Sequence, residues 1–342
     1  MLKMAAIGCG YWGPNLIRNF NNHPDVEMSH ICDLDAKRRA HMAQLYPKAD
    51  IGDDVGRILG DPSIGAVVVA TPVSTHFPLG KAVLESGKHL FIEKPMAASA
   101  EECRQLCALA KARNLQIMVG HTFLFVPAVR MIKQLIESGE LGDIYYVKIR
   151  RLNLGIFQKD ANVVWDLVPH DVAMLNYLFD AVPERVSATG HCYVQTDKQL
   201  EDVAFVSLWY PGGRVAHLHV SWLDPNKVRE ATFVGSRKMV VYDDVAMTDK
   251  IRIYDKGVDV MPHYDGFDEF HLAYRHGDIL IPKIDQAEPL KVETSHFVDC
   301  VLGRAAPVSD GDLGLQVVEV LEKACLSIRE HGAPQDLTFQ NA

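Results

Sequence analysis

Short apolar runs alternate with longer segments of helical periodicity over the first 120 residues of the chain. The apolar runs predict strands at 3–8, 26–32, 65–70, 88–92 and 115–119. The stretches between them carry helical patterns at 13–22, 35–46, 53–60, 75–86 and 99–113. Strand and helix in regular alternation predict a parallel sheet covered by helices on both faces, which is a doubly wound α/β domain.

The pattern changes after about residue 123. The segments predicted there are a helix at 126–138, a strand at 143–153, a helix at 163–179 and, at the end of the chain, helices at 290–302 and 311–330. At least five strand-like segments follow one another between 184 and 255. Within them, residues 215–222 alternate between an apolar face and a polar face, the apolar one formed by Ala216, Leu218, Val220 and Trp222. Consecutive strands without helices predict an α+β domain with a large, mostly antiparallel open sheet.

Length and charge narrow the class of protein. A chain of 342 residues is long enough for about two domains, assigned here to 1–122 and 123–342. The 35 basic and 44 acidic side chains leave a net charge of −9, which argues against nucleic acid as a partner. Apolar runs never approach the roughly 18 residues that a membrane-spanning helix needs, and the first apolar run is too short for a signal peptide.

Seven cysteines occur without CxxC spacing. An odd number in this arrangement is typical of free thiols in a reducing compartment, so a cytoplasmic location is expected.

A glycine-rich turn follows the first predicted strand. Gly8, Gly10 and Gly13 form a GxGxxG pattern between a strand and a helix, the context in which this pattern binds the pyrophosphate of a dinucleotide. Asp33 ends the second predicted strand, where a carboxylate accepts hydrogen bonds from ribose hydroxyls and repels a 2′-phosphate. The expected cofactor is therefore NAD, although Arg38 and Arg39 nearby leave NADP open.

Polar residues follow three further strands of the same predicted sheet. Because the carboxyl ends of parallel strands share one edge, these residues are expected to line the ligand crevice. They are Thr71, Pro72 and His76 after one strand, Glu93 and Lys94 after the next, and Gly120 and His121 after the last. The charge of a lysine just beyond a buried strand needs a partner, which makes Lys94 a candidate site residue. An ordinary surface ion pair with Glu93 is the alternative interpretation.

The segment Trp165–Asp171 places Asp166 and His170 four residues apart. On a continuous helix they would share one face, but Pro169 leaves a helix start near 168 as the alternative. His217 and His219, on the polar face of a strand, could present two imidazoles to a metal. With no third ligand in view, sheet-face packing is favoured and no metal site is expected.

Several ordered motifs resemble the Gfo/Idh/MocA family of glucose-fructose oxidoreductase, inositol dehydrogenase and their relatives. They are GCGYWGPN at 8–15, ATPVSTH at 70–76, EKP at 93–95, GHTFLFVPA at 120–128, WDLVPHD at 165–171, YRHGD at 274–278 and SDGDLGLQVVEVLE at 309–322. The resemblance spans essentially the whole chain. It implies a Rossmann domain followed by an α/β domain whose open sheet forms a homodimer or homotetramer.

The resemblance also implies roles for individual residues. Lys94 matches the lysine that contacts the reacting oxygen near the nicotinamide, and Asp166 and His170 match the DxxxH pair, with His170 as acid/base. Lys94–Pro95 is implied to be a cis peptide. The residues then expected around the cofactor are Gly8, Gly10, Tyr11, Trp12, Gly13, Asp33, Thr71, Pro72, His76, Glu93 and Lys94. The chemistry agrees, since oxidation of an alcohol needs an acceptor for the hydroxyl proton and a cation beside the oxygen.

The stretch 153–171 resembles the branch of the family that acts on nucleotide-linked sugars, commonly at carbon 3 of UDP-N-acetylglucosamine or its uronic acid. The residues then expected to contact substrate are Lys94, His121, Arg151, Asn153, Gln158, Asp166, His170, Tyr274 and Arg275. Three alternatives stay open: a dehydrogenase of a free polyol such as inositol, a redox-neutral hydrolase with bound NAD, and a non-catalytic NAD-binding regulator.

Overall fold

The computed structural model describes residues 1–155, 157–158, 161–260 and 272–339. Its strands are β1 (Leu2–Ile7), β2 (Val26–Cys32), β3 (Asp50–Gly52), β4 (Ala66–Val69), β5 (His89–Glu93), β6 (Ile117–Gly120), β7 (Ile144–Leu154), β8 (Arg185–His191), β9 (Val203–Trp209), β10 (Val215–Ser221), β11 (Leu223–Gly235), β12 (Met239–Asp243), β13 (Ile251–Val260), β14 (Leu272–Leu280) and β15 (Gln335–Asp336). Its α-helices are α1 (Gly13–Asn21), α2 (Ala36–Leu45), α3 (Val55–Gly60), α4 (His76–Glu85), α5 (Ala100–Arg113), α6 (Pro127–Glu137), α7 (Val163–Phe179), α8 (Pro289–Val301) and α9 (Gly311–Arg329).

The chain forms two compact units. The first comprises residues 1–126 and 287–322 together with Phe339, and the second comprises 127–286 and 323–338. The sequence predicts a single domain boundary at 122/123, whereas the structure groups residues 287–322 with the first unit.

Two packing features explain why residues 287–322 belong to the first unit. Phe297 of α8 lies in edge-to-face contact with Phe20 of α1 and Phe91 of β5, with ring centroids 5.9 and 5.5 Å away. Ser309 extends the sheet at β6, because Val119 donates its N–H to the Ser309 carbonyl (2.8 Å) and the Ser309 hydroxyl donates to the Val119 carbonyl (2.8 Å). Helical periodicity alone could not show against which sheet these apolar faces pack.

The sheet of the first unit has the strand order β3-β2-β1-β4-β5-β6, and every pairing is parallel. All four residues of β4 are buried, as a strand covered on both faces requires. The chain order reverses between β1 and β4, and loops at the carboxyl ends of the strands beside such a reversal form the ligand crevice in this class of sheet. The predicted doubly wound α/β domain is confirmed.

The second unit contains a nine-stranded sheet in the order β14-β13-β12-β11-β7-β10-β9-β8-β15. Its pairings are antiparallel except that between β7 and β10. Helix α7 packs on β9 and β10, where Ala216, Leu218 and Val220 are buried as the alternation predicted. The opposite face carries His217, His219 and Phe205, whose ring stacks on His219 at 4.3 Å. The predicted open sheet is confirmed.

Candidate active site

The turn between β1 and α1 can only be made by glycine at two positions. Gly8 has a φ of +99°, and a Cβ there would lie 2.4 Å from the carbonyl oxygen of Ala70. A Cβ on Gly13 would lie 2.2 Å from the carbonyl oxygen of Gly8. At Gly10 the nearest atom to a Cβ is Arg38 Nη1 at 3.8 Å, so the backbone there is open to a ligand.

Helix α1 begins at this turn with Pro14 in its first turn, and the N–H groups of Asn15 and Leu16 donate to the Trp12 carbonyl at 3.0 and 3.2 Å. Its N-cap residue, Trp12, makes no side-chain capping bond, and the first turn carries no acidic residue. N–H groups and the positive end of the helix dipole at that position suit a phosphate. Tyr11 and Trp12 remain 85% and 48% exposed beside the turn. The geometry fits the pyrophosphate of a dinucleotide.

A Gly13→Ala variant is expected to bind NAD about 10–100-fold more weakly, since the added methyl group collides with the Gly8 carbonyl and an overpacked contact costs about 1–3 kcal/mol. Titration of NAD against tryptophan fluorescence, with Trp12 as the reporter, measures the Kd. Gly60→Ala is the matched control, because nothing lies within 4 Å of a Cβ there. An unchanged Kd in Gly13→Ala would contradict a cofactor role for this turn.

Asp33 is held at the end of β2 by backbone hydrogen bonds. Its Oδ2 accepts the N–H of Cys9 at 2.6 Å and its Oδ1 accepts the N–H of Asp35 at 2.8 Å. The carboxylate is thereby fixed beside the glycine turn, and the Arg38 guanidinium lies 3.6 Å from Oδ2. Arg39 points elsewhere, donating to the carbonyls of Asp33 and Leu34.

Asp33→Ser should weaken NAD binding by about 10–100-fold, because a hydrogen bond from a ligand hydroxyl to a carboxylate contributes about 1.5–3 kcal/mol. The same change should improve NADP binding relative to NAD, since Arg38 stays available for a 2′-phosphate once the negative charge has gone. The Kd values of both cofactors decide this. Asp33→Asn, which keeps an acceptor for the Cys9 N–H, separates loss of charge from distortion of the turn. A cofactor ratio unchanged in both variants would refute the assignment of Asp33.

His76 connects the loops that follow β4 and β5. Its ring nitrogens lie 2.9 Å from the Thr71 carbonyl oxygen and 2.8 Å from the Pro95 carbonyl oxygen, and the side chain is 1% exposed. Burial lowers the pKa of His76. The structure therefore gives His76 a different task from the predicted cofactor contact: it holds two crevice loops together. Thr71 is engaged by the Thr75 hydroxyl at 2.7 Å, and Pro72 precedes that short turn.

Glu93 and Lys94 lie at the carboxyl end of β5, and His121 lies just after β6. The Lys94–Pro95 peptide is cis, as the resemblance implied. Glu93 Oε2 accepts the backbone N–H of Lys94 at 3.2 Å. Burial raises the pKa of Glu93 to about 7 against the opposing effect of the Lys94 charge. His121 is 1% exposed, and burial together with the Lys94 charge lowers its pKa to about 3.

Asp166 and His170 lie on helix α7 of the second unit. Asn162 caps this helix by accepting the N–H of Trp165 at 3.1 Å, so α7 runs from Val163 through Pro169 and places Asp166 and His170 one turn apart. The indole Nε1 of the buried Trp222 donates to Asp166 Oδ2 at 3.1 Å. Trp222 thus fixes the carboxylate of Asp166.

Arg151 does not have the role predicted for it. The guanidinium is 5% exposed and binds Asp171 of α7, with Nη2 at 2.5 Å and Nε at 3.1 Å from Oδ1. This buried ion pair anchors α7 on β7. Asn153, near the end of β7, and Gln158 are half-buried, and the Gln158 carbonyl accepts from Gln195 Nε2 at 2.9 Å.

Tyr274 and Arg275 lie on β14, the edge strand, which β13, β12 and β11 separate from β7. Arg275 Nε donates to Asp255 at 2.9 Å and its Nη2 donates to the Arg237 carbonyl. Tyr274 is 71% exposed. The structure does not bring this pair together with Asp166 and His170.

Three residues of the two units were not foreseen as site residues: Trp222, Asp171 and Glu293. For Glu293 a signal existed, because it falls with Leu290, Thr294 and Phe297 on the apolar stripe of α8, where a carboxylate is unusual.

Within the described ranges, His, Cys, Asp and Glu side chains form no group of three able to hold a metal ion. Nor does any helix there have the length and apolar character to cross a bilayer.

Comparison with known proteins defines the class to which this geometry belongs. A model of the oxidoreductase family with an NAD-binding Rossmann fold matches residues 2–121, and a model of the GFO/IDH/MocA C-terminal domain matches residues 129–241. The first unit is therefore an NAD-binding Rossmann domain, which confirms the predicted cofactor class. The chain belongs to the Gfo/Idh/MocA family of oxidoreductases.

Similar proteins include dehydrogenases of sugars and polyols. The UDP-N-acetylglucosamine 3-dehydrogenase of Acidithiobacillus ferrooxidans is 27% identical over 89% of this chain and 93% of its own length. The scyllo-inositol 2-dehydrogenase (NAD⁺) of Bacillus subtilis is 25% identical over 100% of this chain and 98% of its own. The matches to the uncharacterized oxidoreductases YrbE of Bacillus subtilis and another of Streptococcus pneumoniae span 64% and 62% of those relatives.

Solved structures show the same fold. GenD2 from gentamicin A biosynthesis, in complex with NAD, has a TM-score of 0.82 over 99% of this chain and 97% of its own, at 22% identity. The Acidithiobacillus enzyme GnnA has a TM-score of 0.80 over 96% of this chain and 98% of its own, also at 22% identity.

Proposed function

We propose that the protein transfers a hydride between a secondary alcohol of a nucleotide-linked sugar and NAD. The observation that carries the proposal is the group of features at the carboxyl ends of β1, β2 and β5: a glycine turn open to a ligand, an Asp33 carboxylate held by backbone N–H groups, and Lys94 beside the half-buried Glu93. The nearly full-length similarity to a UDP-N-acetylglucosamine 3-dehydrogenase supports the substrate class, with carbon 3 as the favoured position.

The residues that would hold the cofactor are those of the glycine turn with Asp33. NAD, when bound there, supplies the hydride acceptor. The backbone N–H groups of the glycine turn would bind its phosphates and the Asp33 carboxylate its ribose hydroxyls, while Tyr11 and Trp12 lie exposed beside the turn.

His170 is proposed to accept the hydroxyl proton, because an imidazole titrates near neutrality and suits general base catalysis. The Lys94 ammonium would stabilise negative charge developing on the oxygen. Asp166, fixed by the indole of Trp222, would orient His170, which lies one turn further along α7. Asn153, Gln158 and His121 remain candidates for substrate hydroxyls, whereas the guanidinium of Arg151 is bound to Asp171.

Oxidation of a free polyol is the second candidate function. It is favoured by the similarity to a scyllo-inositol 2-dehydrogenase over the whole chain and would use the same residues. The two functions differ only in whether the protein binds a nucleotide attached to the sugar.

A substrate panel tests the proposal. The purified protein is mixed with NAD and, separately, with UDP-N-acetylglucosamine, its uronic acid or myo-inositol, and the absorbance of reduced nicotinamide is followed. A parallel arm contains 2-oxoglutarate, which would reoxidise NADH retained by the enzyme. A rise with a UDP-sugar alone supports the proposal, and a rise with myo-inositol alone supports the second candidate. No redox change in any arm would count against both and favour a redox-neutral hydrolase or a regulator.

A homodimer or homotetramer formed through the exposed sheet face is also proposed. Phe205 and Tyr146, 50% and 46% exposed, lie on the face of the nine-stranded sheet opposite α7. Sedimentation velocity of the wild type and of Phe205→Lys would show whether this face forms a subunit interface.

The free state of all seven cysteines supports the proposed cytoplasmic location.

A further inference from the structure

Two carboxylates converge behind Lys94 in the first unit. Glu93 ends β5 opposite Gly120 of β6, and its carboxyl group lies over that glycine, since a Cβ on Gly120 would be 3.1 Å from Glu93 Oε1. Two residues further on, the Thr122 hydroxyl donates to Oε2 of Glu293 at 2.7 Å. The short segment 120–122, at the end of β6 and just after it, therefore lies against both acids.

Glu293 is the more deeply buried of the two. Its side chain has no solvent exposure, and Oε1 has no hydrogen-bond partner among the residues that the structure describes. Within the described ranges the Thr122 hydroxyl is the one hydrogen-bond donor to Glu293, and no cation binds its carboxylate. Burial, and next the negative charge of Glu93, raise the pKa of Glu293 well above its usual range.

The other ionisable groups around Glu293 do not neutralise it. His121 is uncharged at neutral pH, because burial and the Lys94 charge lower its pKa to about 3. On α8 itself, His296 Nε2 accepts the N–H of Val308 at 3.1 Å. On α1, Arg18 binds Glu288 at 2.6 Å. Lys94 is the cation of this cluster, and its charge and backbone N–H act on Glu93.

We propose that Glu93 and Glu293 hold one proton between them at about pH 8 and that this proton is on Glu293. Two neighbouring carboxylates in a buried site do not both ionise, and the proton goes to the acid with the weaker stabilisation of its anion. Glu93 has the Lys94 charge and an N–H donor, whereas Glu293 has one hydroxyl donor. Glu93 is then the anion that accompanies the Lys94 ammonium, and Glu293 is the neutral acid that completes the pair.

This arrangement makes Glu293 a positioning residue that acts on Lys94 through Glu93. It rests on the proposed function only for the catalytic task of Lys94. The protonation state can be measured without any substrate.

The decisive experiment compares the folding equilibrium of the full-length wild type and Glu293→Gln between pH 5.5 and 9. Above the pKa of an unfolded glutamate, the native wild type keeps a proton that the unfolded chain has released, so its stability falls as pH rises until Glu293 itself titrates. Glutamine is the uncharged isostere and lacks this dependence. The ratio of folding constants, variant over wild type, should therefore rise by up to about tenfold for each pH unit in that window. Glu27→Gln, exposed on β2 of the same unit, is the matched control and should show a flat ratio.

Infrared difference spectroscopy provides a second, direct readout. The wild type at about pH 8 should show the carbonyl stretch of a protonated carboxylic acid, shifted in D₂O and absent in Glu293→Gln. A flat ratio of folding constants, or a protonated-acid band that persists in Glu293→Gln, would overturn the proposal. If the pH-dependent ratio and the band are found while no sugar or polyol is oxidised, the proton assignment stands and the proposed function fails.

Discussion

Replacing Lys94 by methionine or His170 by asparagine is expected to lower kcat by about 10²–10⁴ on the substrate that the panel identifies. The first change removes the cation beside the developing oxyanion, and the second removes the proton acceptor. The Kd for NAD should stay within about threefold of the wild-type value, because neither side chain belongs to the glycine turn or to the Asp33 site. Steady-state kinetics with a parallel NAD titration measure both quantities.

Thermal unfolding of both variants is the control for this experiment, since a variant that fails to fold would also lose turnover. Normal turnover in both folded variants would contradict the assignment of catalysis to these residues. A loss in one alone would leave the other with a binding role, visible as a raised KM with unchanged kcat.

Asp171→Asn is expected to lower the free energy of unfolding by about 3–5 kcal/mol, because it leaves the buried Arg151 charge without its counter-ion. Denaturant unfolding measures the change. The double variant Arg151→Met/Asp171→Leu removes both charges and should recover most of the loss, since apolar side chains of similar size replace a buried ion pair at little cost.

The exposed pair Arg185–Asp336, with Nε and Oδ1 2.8 Å apart, serves as the control. Its side chains are 53% and 71% exposed, and Asp336→Asn should cost less than about 1 kcal/mol. Equal effects of Asp171→Asn and Asp336→Asn would show that burial of the Arg151–Asp171 pair does not control its contribution.

The first sheet was predictable because its buried strands can be recognised as apolar runs in the sequence. Residues 65–70 form a continuous apolar run, and the glycine spacing after β1 matches a turn that sterically requires glycine at two positions. Strand β3 was missed because Asp50–Gly52 is three residues long and has no apolar pattern. Strand β14 was missed because an exposed edge strand lacks the alternation that burial of one face imposes.

The catalytic candidates were predictable from motif spacing, but their partners were not. Asn162, the cap that starts α7 ahead of Pro169, decides that Asp166 and His170 share a helix face, and the sequence left a later start open. Trp222 and Asp171 contact their partners across sequence separations of 56 and 20 residues, and no local pattern encodes such pairings. The predicted substrate contact of Arg151 fails for the same reason. The local sequence around an arginine is the same whether its guanidinium faces a ligand or a buried aspartate.

The aromatic contact of Phe297 with Phe20 and Phe91 also has a consequence for the order of events during synthesis. A ribosome releases α1 and β5 long before α8, so the NAD-binding domain emerges with an open hydrophobic face where Phe297 will later pack. Its core closes only after some 170 further residues have been translated, when α8 leaves the exit tunnel. A fragment ending at residue 122 would lack that closing helix, and folding of the dinucleotide-binding domain is completed by a segment synthesised after residues 127–286 of the second unit.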